Sequence, residues 1–340
     1  MIKISKGLGN LAAATLGFYR QIGVEEVQVP ARFNTNINLR PLVPPTQKKA
    51  AGPMPPAWDE DELQRICDHV RGFELEPTAI GLPISGRILL GQEGRDEDLE
   101  DVIERIQMAG RVGFAVMTWN FTALRASEGY AAQEGAGRGG AHLRDFDDAR
   151  IRDLPPLDDV GRHGMEAMWG RLEYCLQRIV PAAEAAGVRL AMHPNDPPVP
   201  EYRGVAQPLW NLEGMKRLIE VVDSPANSLF FDTGVTTEYG DDAVEAIRYF
   251  GERDRIGIVH FRNVRVEQPY YKYTETFLDE GECDIVGCMR AFAEVGYEGG
   301  IDPDHTPGIV GDTEETQMGW AYAVGQLRAL RLAAYGGKSS

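Results

Sequence analysis

Four polar side chains fall where short apolar runs stop: His193 in AMHPND, Asp232 in FFDTG, His260 in VHFRN and Asp304 in IDPDHTP. Two imidazoles and two carboxylates form a nitrogen–oxygen donor set suited to Mn²⁺, Fe²⁺, Co²⁺ or Zn²⁺; Mg²⁺ suits imidazole less well. We take Mn²⁺ as the expected ion. Any one of these positions alone would read as a strand-end polar cap, but four in a row read as a divalent metal site. His305, directly after Asp304, adds a third imidazole. The remaining histidines, His69, His142 and His163, lie on a helix or in a long excursion and are expected to lie outside the site. Side chains alternate along a strand, so Arg262 should point the same way as His260 and set a guanidinium beside the metal. Arginine pairs bidentately with carboxylates, which makes a sugar acid a natural ligand; a purely structural ion pair to Asp232 or Asp304 is the alternative. Asn263 follows as a substrate contact, and Trp119 and Asn120, ending an earlier strand, are expected to wall the pocket.

These residues need strands to present them. Apolar runs at residues 2–5, 25–29, 78–82, 112–121, 188–194, 228–233, 256–262 and 299–302 read as eight strands. Helical patterns lie between them, at about 8–22, 59–72, 97–109, 166–186, 212–223, 242–252, 284–295 and 314–334. Strands separated by helices require right-handed parallel crossovers, and eight such units close into a (β/α)8 barrel with its chemistry at the C-terminal strand ends. An open doubly wound sheet is the competing layout, but no GxGxxG follows the first strand. Composition shows no linker-like shift, so residues 1–340 are read as one barrel domain. Two stretches are too long for ordinary loops: about 30–58, with seven prolines, and about 122–164. The second contains GAGRGGAH at 135–142, a weak phosphate-loop signal that fits better as a mobile flap or a contact in a homo-oligomer.

Composition narrows the partners. A formal charge of −17 disfavours nucleic acid and anionic membrane, and leaves room for a small anion only where cations or a metal offset the field. There is no apolar run long enough to span a bilayer and no signal-peptide core at the N-terminus. Cys67, Cys175, Cys283 and Cys288 show no CxxC spacing and read as reduced thiols, as expected of a cytoplasmic protein.

Several of these segments resemble the mannonate dehydratase family, of the xylose isomerase-like TIM barrel group. HPNDPP is similar to the family's HPDDPP, VHFRNV to its HFR strand, FLDEGECDIVGCMRAFAEVGYEG to its GDVDM-like segment and following helix, and PDH to its RPDHG. The likeness is good over about 165–335 and loose before that. It implies that His193, His260 and Asp304 are metal ligands and His305 a proton-transfer residue. Three departures stand out. The family's metal-binding cysteine on the sixth strand appears here as Asp232; RPDHG reads DPDHT; and WNFTALRASEG replaces the family's fourth-strand segment.

The reaction so implied is loss of water from a mannonate-like aldonate to give a 2-keto-3-deoxy acid. The proton α to a carboxylate is very weakly acidic, so a Lewis acid must stabilise the developing charge while a positioned acid or base moves protons. His305 is the leading proton carrier, Arg262 the carboxylate clamp, and Tyr322 in the last helix a second candidate donor. Two other readings share the site: a metal-dependent sugar isomerase or epimerase, and a non-catalytic sugar-acid binding protein.

Overall fold

The computed structural model describes residues 1–30, 52–124, 128–267 and 271–336. In chain order its strands are β1 (Lys3–Gly7), β2 (Glu26–Val29), β3 (Glu76–Gly81), β4 (Val116–Trp119), β5 (Tyr130–Gln133), β6 (Leu143–Asp147), β7 (Arg189–Met192), β8 (Glu201–Tyr202), β9 (Val205–Ala206), β10 (Asn227–Asp232), β11 (Ile256–His260), β12 (Asn263–Glu267), β13 (Lys272–Thr276) and β14 (Gly300–Asp302). Its helices are α1 (Ala13–Ile22), α2 (Glu60–Arg71), α3 (Gly86–Leu90), α4 (Arg95–Val112), α5 (Met165–Ala186), α6 (Leu212–Val221), α7 (Thr233–Glu238), α8 (Ala243–Gly251), α9 (Ile285–Glu294) and α10 (Gln317–Tyr335).

β1, β2, β3, β4, β7, β10, β11 and β14 pair in parallel and close into a barrel, β14 returning to β1. All eight coincide with expected strands, and the fold is the (β/α)8 barrel. Alternation along the strands divides the apolar residues into two layers. Ala79, Val116, Ala191, Phe230 and Ile258 cluster together inside the barrel. Their strand neighbours Met117, Met192, Phe231 and Val259 belong to the larger layer between strands and helices. The same period of two that turns Phe230 and Ile258 inward turns Asp232 and His260 inward one step later. The register sets Asp232 beside His260, and His260 beside Asp302, on adjacent strands.

Three features depart from expectation. The fourth strand is only Val116–Trp119, because α4 continues to Val112 before Gly113 stops it in the left-handed region at φ 100°. The short helices α3 and α7 are additional. The stretch at 122–164 is not simply a flap: β5 and β6 join β12 and β13 in a four-stranded antiparallel sheet, in the order β12-β13-β6-β5. This sheet grows out of the C-terminal end of β11, since β12 begins three residues after His260. Of the other excursion, residues 31–51 lie outside the described residues, as do 125–127 of the second. The four cysteines are free and buried. Among the described residues no helix is long and apolar enough to cross a membrane.

Candidate active site

His193 leaves the end of β7, its backbone N–H donating to Trp119 O at 2.8 Å. The prolines behind it prevent further strand. Asn195 and Gln207 hold that loop: Asn195 Oδ1 accepts from Leu209 N at 2.8 Å, and Gln207 Nε2 donates to Pro197 O at 2.9 Å and to Val199 O at 2.6 Å. Asp232 ends β10 and opens α7, so its two oxygens have separate tasks. Oδ1 caps the helix, accepting from Val235 N at 2.8 Å, which leaves Oδ2 to face the barrel axis. Thr233 ties this corner to the next strand by accepting from Arg262 N at 3.0 Å and donating to Arg262 O at 2.8 Å.

Three donor atoms meet over the ring of Phe230. His193 Nε2 lies 3.2 Å from His260 Nδ1 and 3.4 Å from Asp232 Oδ2, and His260 Nδ1 lies 3.5 Å from Asp232 Oδ2. Phe230 forms the floor, its centroid 4.0 Å from that of His260 and 5.2 Å from that of His193. The outer nitrogens are also engaged. His193 Nδ1 is 2.8 Å from Pro194 O, and His260 Nε2 is 3.4 Å from Asp304 Oδ1. With those nitrogens carrying the protons, two imidazole lone pairs and a carboxylate oxygen point at one another. Such a trio repels itself unless a cation lies between its members. Donor separations near 3.4 Å are what nitrogen and oxygen ligands at about 2.0–2.2 Å from one ion give. The donor set therefore fits a divalent metal.

Asp304 is arranged differently from expectation. Its Oδ1 faces His260 Nε2, on the far side of that ring from the trio, and its Oδ2 lies 3.3 Å from Arg262 Nε. The His305 ring turns toward two carboxylates: Nδ1 is 3.4 Å from Asp304 Oδ2 and 3.1 Å from Glu275 Oε1. Burial pushes the His305 pKa down, but Asp304 and Glu275 push it up and prevail, to about 9.

At Arg262 the structure shows the ion pairs of the alternative reading, to Asp232 and Asp304 both. Alternation does send it to the His260 side, but carboxylates already surround it there. Nε lies 3.0 Å from Asp232 Oδ2, Nη1 is 2.6 Å from Glu238 Oε1, and Nη2 is 3.2 Å from Asp196 Oδ2. The side chain is buried. With Asp304 as a fourth neighbour, it is the counter-ion of the site rather than an open clamp. Gly234 makes room for it: a Cβ there would come within 2.7 Å of Arg262 Cγ. Burial favours protonated Asp232, yet the Arg262 guanidinium beside it holds its carboxyl well below the usual carboxylate range. Burial has the upper hand at Glu238, whose pKa is well raised.

Of the other expected contacts, Asn263 lines the cavity beside the trio but ties its polar atoms to its own loop, whereas Trp119, Asn120 and Tyr322 are committed elsewhere. The Asn263 amide donates to Leu278 O at 2.8 Å and Cys283 O at 3.2 Å, and its Oδ1 accepts from Cys283 N at 2.9 Å, so it folds the 278–283 turn. The Trp119 ring packs edge-on to Phe121 in the outer layer, Asn120 is exposed, and neither lines the cavity. The Tyr322 hydroxyl accepts from Arg138 at 2.9 Å and Gln326 at 3.1 Å and donates to Asp279 at 3.1 Å, on the surface.

Beside the trio, between the barrel mouth and the antiparallel sheet, is a cavity of about 300 Å³. Asp304, His305, Glu275, Arg144, His142 and Trp320 help to line it, so His142, expected to lie away from these residues, faces the same cavity. Sequence reading also missed Asp196, Glu238, Glu275 and Lys6. Asp196 accepts from the hydroxyls of Tyr130 and Tyr273. Lys6, buried on β1, bonds Asp302 at 2.9 Å, which gives the aspartate of DPDHT a structural partner.

The D-mannonate dehydratase (UxuA) family profile matches residues 157–335, more than half of the chain. The chain belongs to the D-mannonate dehydratase family. It is thereby a hydro-lyase of sugar acids, and the match spans the trio, Arg262, Asp304 and His305. Mannonate dehydratase of Streptococcus uberis is 26% identical over 285 residues, covering 77% of this chain and 82% of its own. That of Thermotoga petrophila is 28% identical over 287 residues, covering 74% and 79%. Among solved structures, mannonate dehydratase from Streptococcus suis serotype 2 superposes with a TM-score of 0.82 at 23% identity, over 100% of this chain and 97% of that one. L-ribulose 3-epimerase shares the fold more distantly, with a TM-score of 0.59 at 16% identity, over 98% of each chain.

Proposed function

We propose that this mannonate dehydratase family member converts a D-mannonate-like aldonate to a 2-keto-3-deoxy acid, using a divalent cation, Mn²⁺ foremost, held by His193, Asp232 and His260. The observation that carries the reading is the convergence of three lone-pair atoms whose outer nitrogens are pinned by Pro194 O and Asp304. Outer hydrogen bonds of that kind orient metal-ligating histidines and raise their basicity. Asp304 is assigned to that supporting role, a revision of the ligand expected from sequence. A cation held there would supply the Lewis acidity that makes the proton α to the substrate carboxylate acidic enough to remove. His305, with its pKa pushed up to about 9, keeps its proton at neutral pH and delivers it to the departing β-hydroxyl, which leaves as water, while the α-proton passes to solvent water and the His305 ring is reprotonated from solvent. Glu275 holds the ring in position for that transfer. Arg262 keeps Asp232 ionised, and the antiparallel sheet supplies one wall of the cavity. We assign residues 1–340 to one domain, because β1 and β14 pair to close the barrel and α10 packs back across β1.

The test is turnover of a panel of five- and six-carbon aldonates by Mn²⁺-loaded protein, with products read by mass and keto-deoxy acid chemistry. Loss of one water is the expected result. A product of unchanged mass would put an isomerase or epimerase in its place, and binding without any product would put a non-catalytic binding protein there.

A further inference from the structure

A chain carrying a formal charge of −17 needs a local cation wherever it receives an anion. The cavity walls hold two arginines, and they differ in how far they are committed. Arg262 is buried among four carboxylates. Arg144, on β6, is only half-buried and stacks on the Tyr130 ring at 3.8 Å from its centroid. Among the described residues its guanidinium makes no hydrogen bond and has one carboxylate within 4 Å, Glu275 Oε1 at 3.7 Å from Nη1, with Asp196 acting on it from farther away. A guanidinium offers five N–H groups in a planar fork, and stacking one face on a ring leaves the edges of the fork free for an in-plane acceptor.

We infer that Arg144 is the residue that receives the substrate's carboxylate and sets the preference for an acid over a neutral sugar. The inference rests on the sugar-acid reading above and deepens it. Glu275 Oε1 stands between Arg144 and His305, 3.7 Å from one and 3.1 Å from the other. A carboxylate seated on Arg144 therefore has its α- and β-carbons within reach of the His305 ring, the atoms between which the proton and hydroxyl are lost. β6 lies before residue 157, outside the part of the chain that the family profile matches. The register Glu275↔Arg144 between β13 and β6 brings the arginine to the site.

The experiment compares equilibrium binding of D-mannonate with that of its uncharged counterpart D-mannitol. The protein carries Mn²⁺ and His305→Asn, which slows turnover enough for binding to be read before product accumulates. Arg144→Gln should weaken mannonate binding about 10- to 100-fold, as expected for loss of a charge-assisted bidentate pair, and leave mannitol binding within about 3-fold. Arg144→Lys, which keeps the charge but not the fork, should fall between and guards against a misfolded glutamine variant. Equal weakening for both ligands would reduce Arg144 to a structural stacking partner and overturn the inference, as would unchanged mannonate binding. Failure of the unsubstituted enzyme to turn over any aldonate would instead remove the dehydration reading, and the binding comparison would still judge Arg144.

Discussion

Replacing Arg262 by methionine separates its two readings, clamp and counter-ion. The exchange keeps most of the side-chain volume and removes the charge that faces Asp232, Glu238, Asp196 and Asp304. Leaving a buried charge without its partner costs about 3–5 kcal/mol. Unfolding entropy near the melting temperature scales to about 0.7 kcal/mol/K for a chain of this length, so Tm should fall by about 4–7 °C. The deficit should also depend on pH in a definite sense. Arg262 helps to hold the Asp232 and Asp304 carboxyls below their ordinary values. A depressed carboxylate pKa contributes stability that is present above the unfolded value, about 3.9, and lost as pH falls through the folded value. Without Arg262 these carboxyls protonate at higher pH, and a neutral carboxyl tolerates burial. The gap between wild type and Arg262→Met should therefore be widest near pH 7 and narrow toward pH 4–5. Thermal melts of the metal-free proteins across that range measure it. A Tm change below about 1.5 °C at pH 7, or a gap that does not narrow with acid, would refute the counter-ion argument and restore the open clamp.

The remaining predictions concern the metal and the proton. Asp232→Asn can still cap α7 through its amide oxygen but loses the anionic Oδ2, so Mn²⁺ content by elemental analysis should fall sharply while the helical circular dichroism stays. Asp232→Cys should still bind metal, with preference moved toward Zn²⁺ or Fe²⁺ on titration. His305→Asn should retain metal and lower kcat about 10²–10⁴-fold; metal loss or near-normal turnover would show that the proton moves elsewhere. With His305 acting as the acid, kcat should decline as pH rises through about 9. Glu275→Gln removes one of the groups that raise that pKa and should move the decline to lower pH in the pH–rate profile. Tyr322→Phe should change kcat less than about 3-fold, since its hydroxyl serves Arg138 and Asp279 at the surface.

The barrel was legible because its signals are local. The last four barrel strands are short apolar runs that end at or just before a polar residue, and the longer connecting helices have their own periodicity and stop. His193, Asp232 and His260 were found by the same means, since alternation and parallel register bring strand ends together without further information. What surrounds them was hidden. Glu238 lies on α7, a helix of six residues too short for a periodic pattern. Arg144, Tyr130 and Glu275 reach the site only through antiparallel pairings such as β13 with β6, between segments more than a hundred residues apart. The β5 sequence YAAQ and the β6 sequence LRDFD carry little strand signal by themselves. The Val264 and Val266 alternation in β12 was readable, but its partners were not. Arg262 shows the limit most clearly: alternation gave its direction correctly, whereas its role depends on how many acids the other elements bring to meet it.

The most direct test is a crystal structure of Mn²⁺-soaked protein with anomalous scattering recorded at the manganese edge. One strong peak per chain is expected at about 2.0–2.3 Å from His193 Nε2, Asp232 Oδ2 and His260 Nδ1, with Asp304 hydrogen-bonded to His260 Nε2 and not to the ion. A peak lying elsewhere, or none at full soaking concentration, would contradict this assignment.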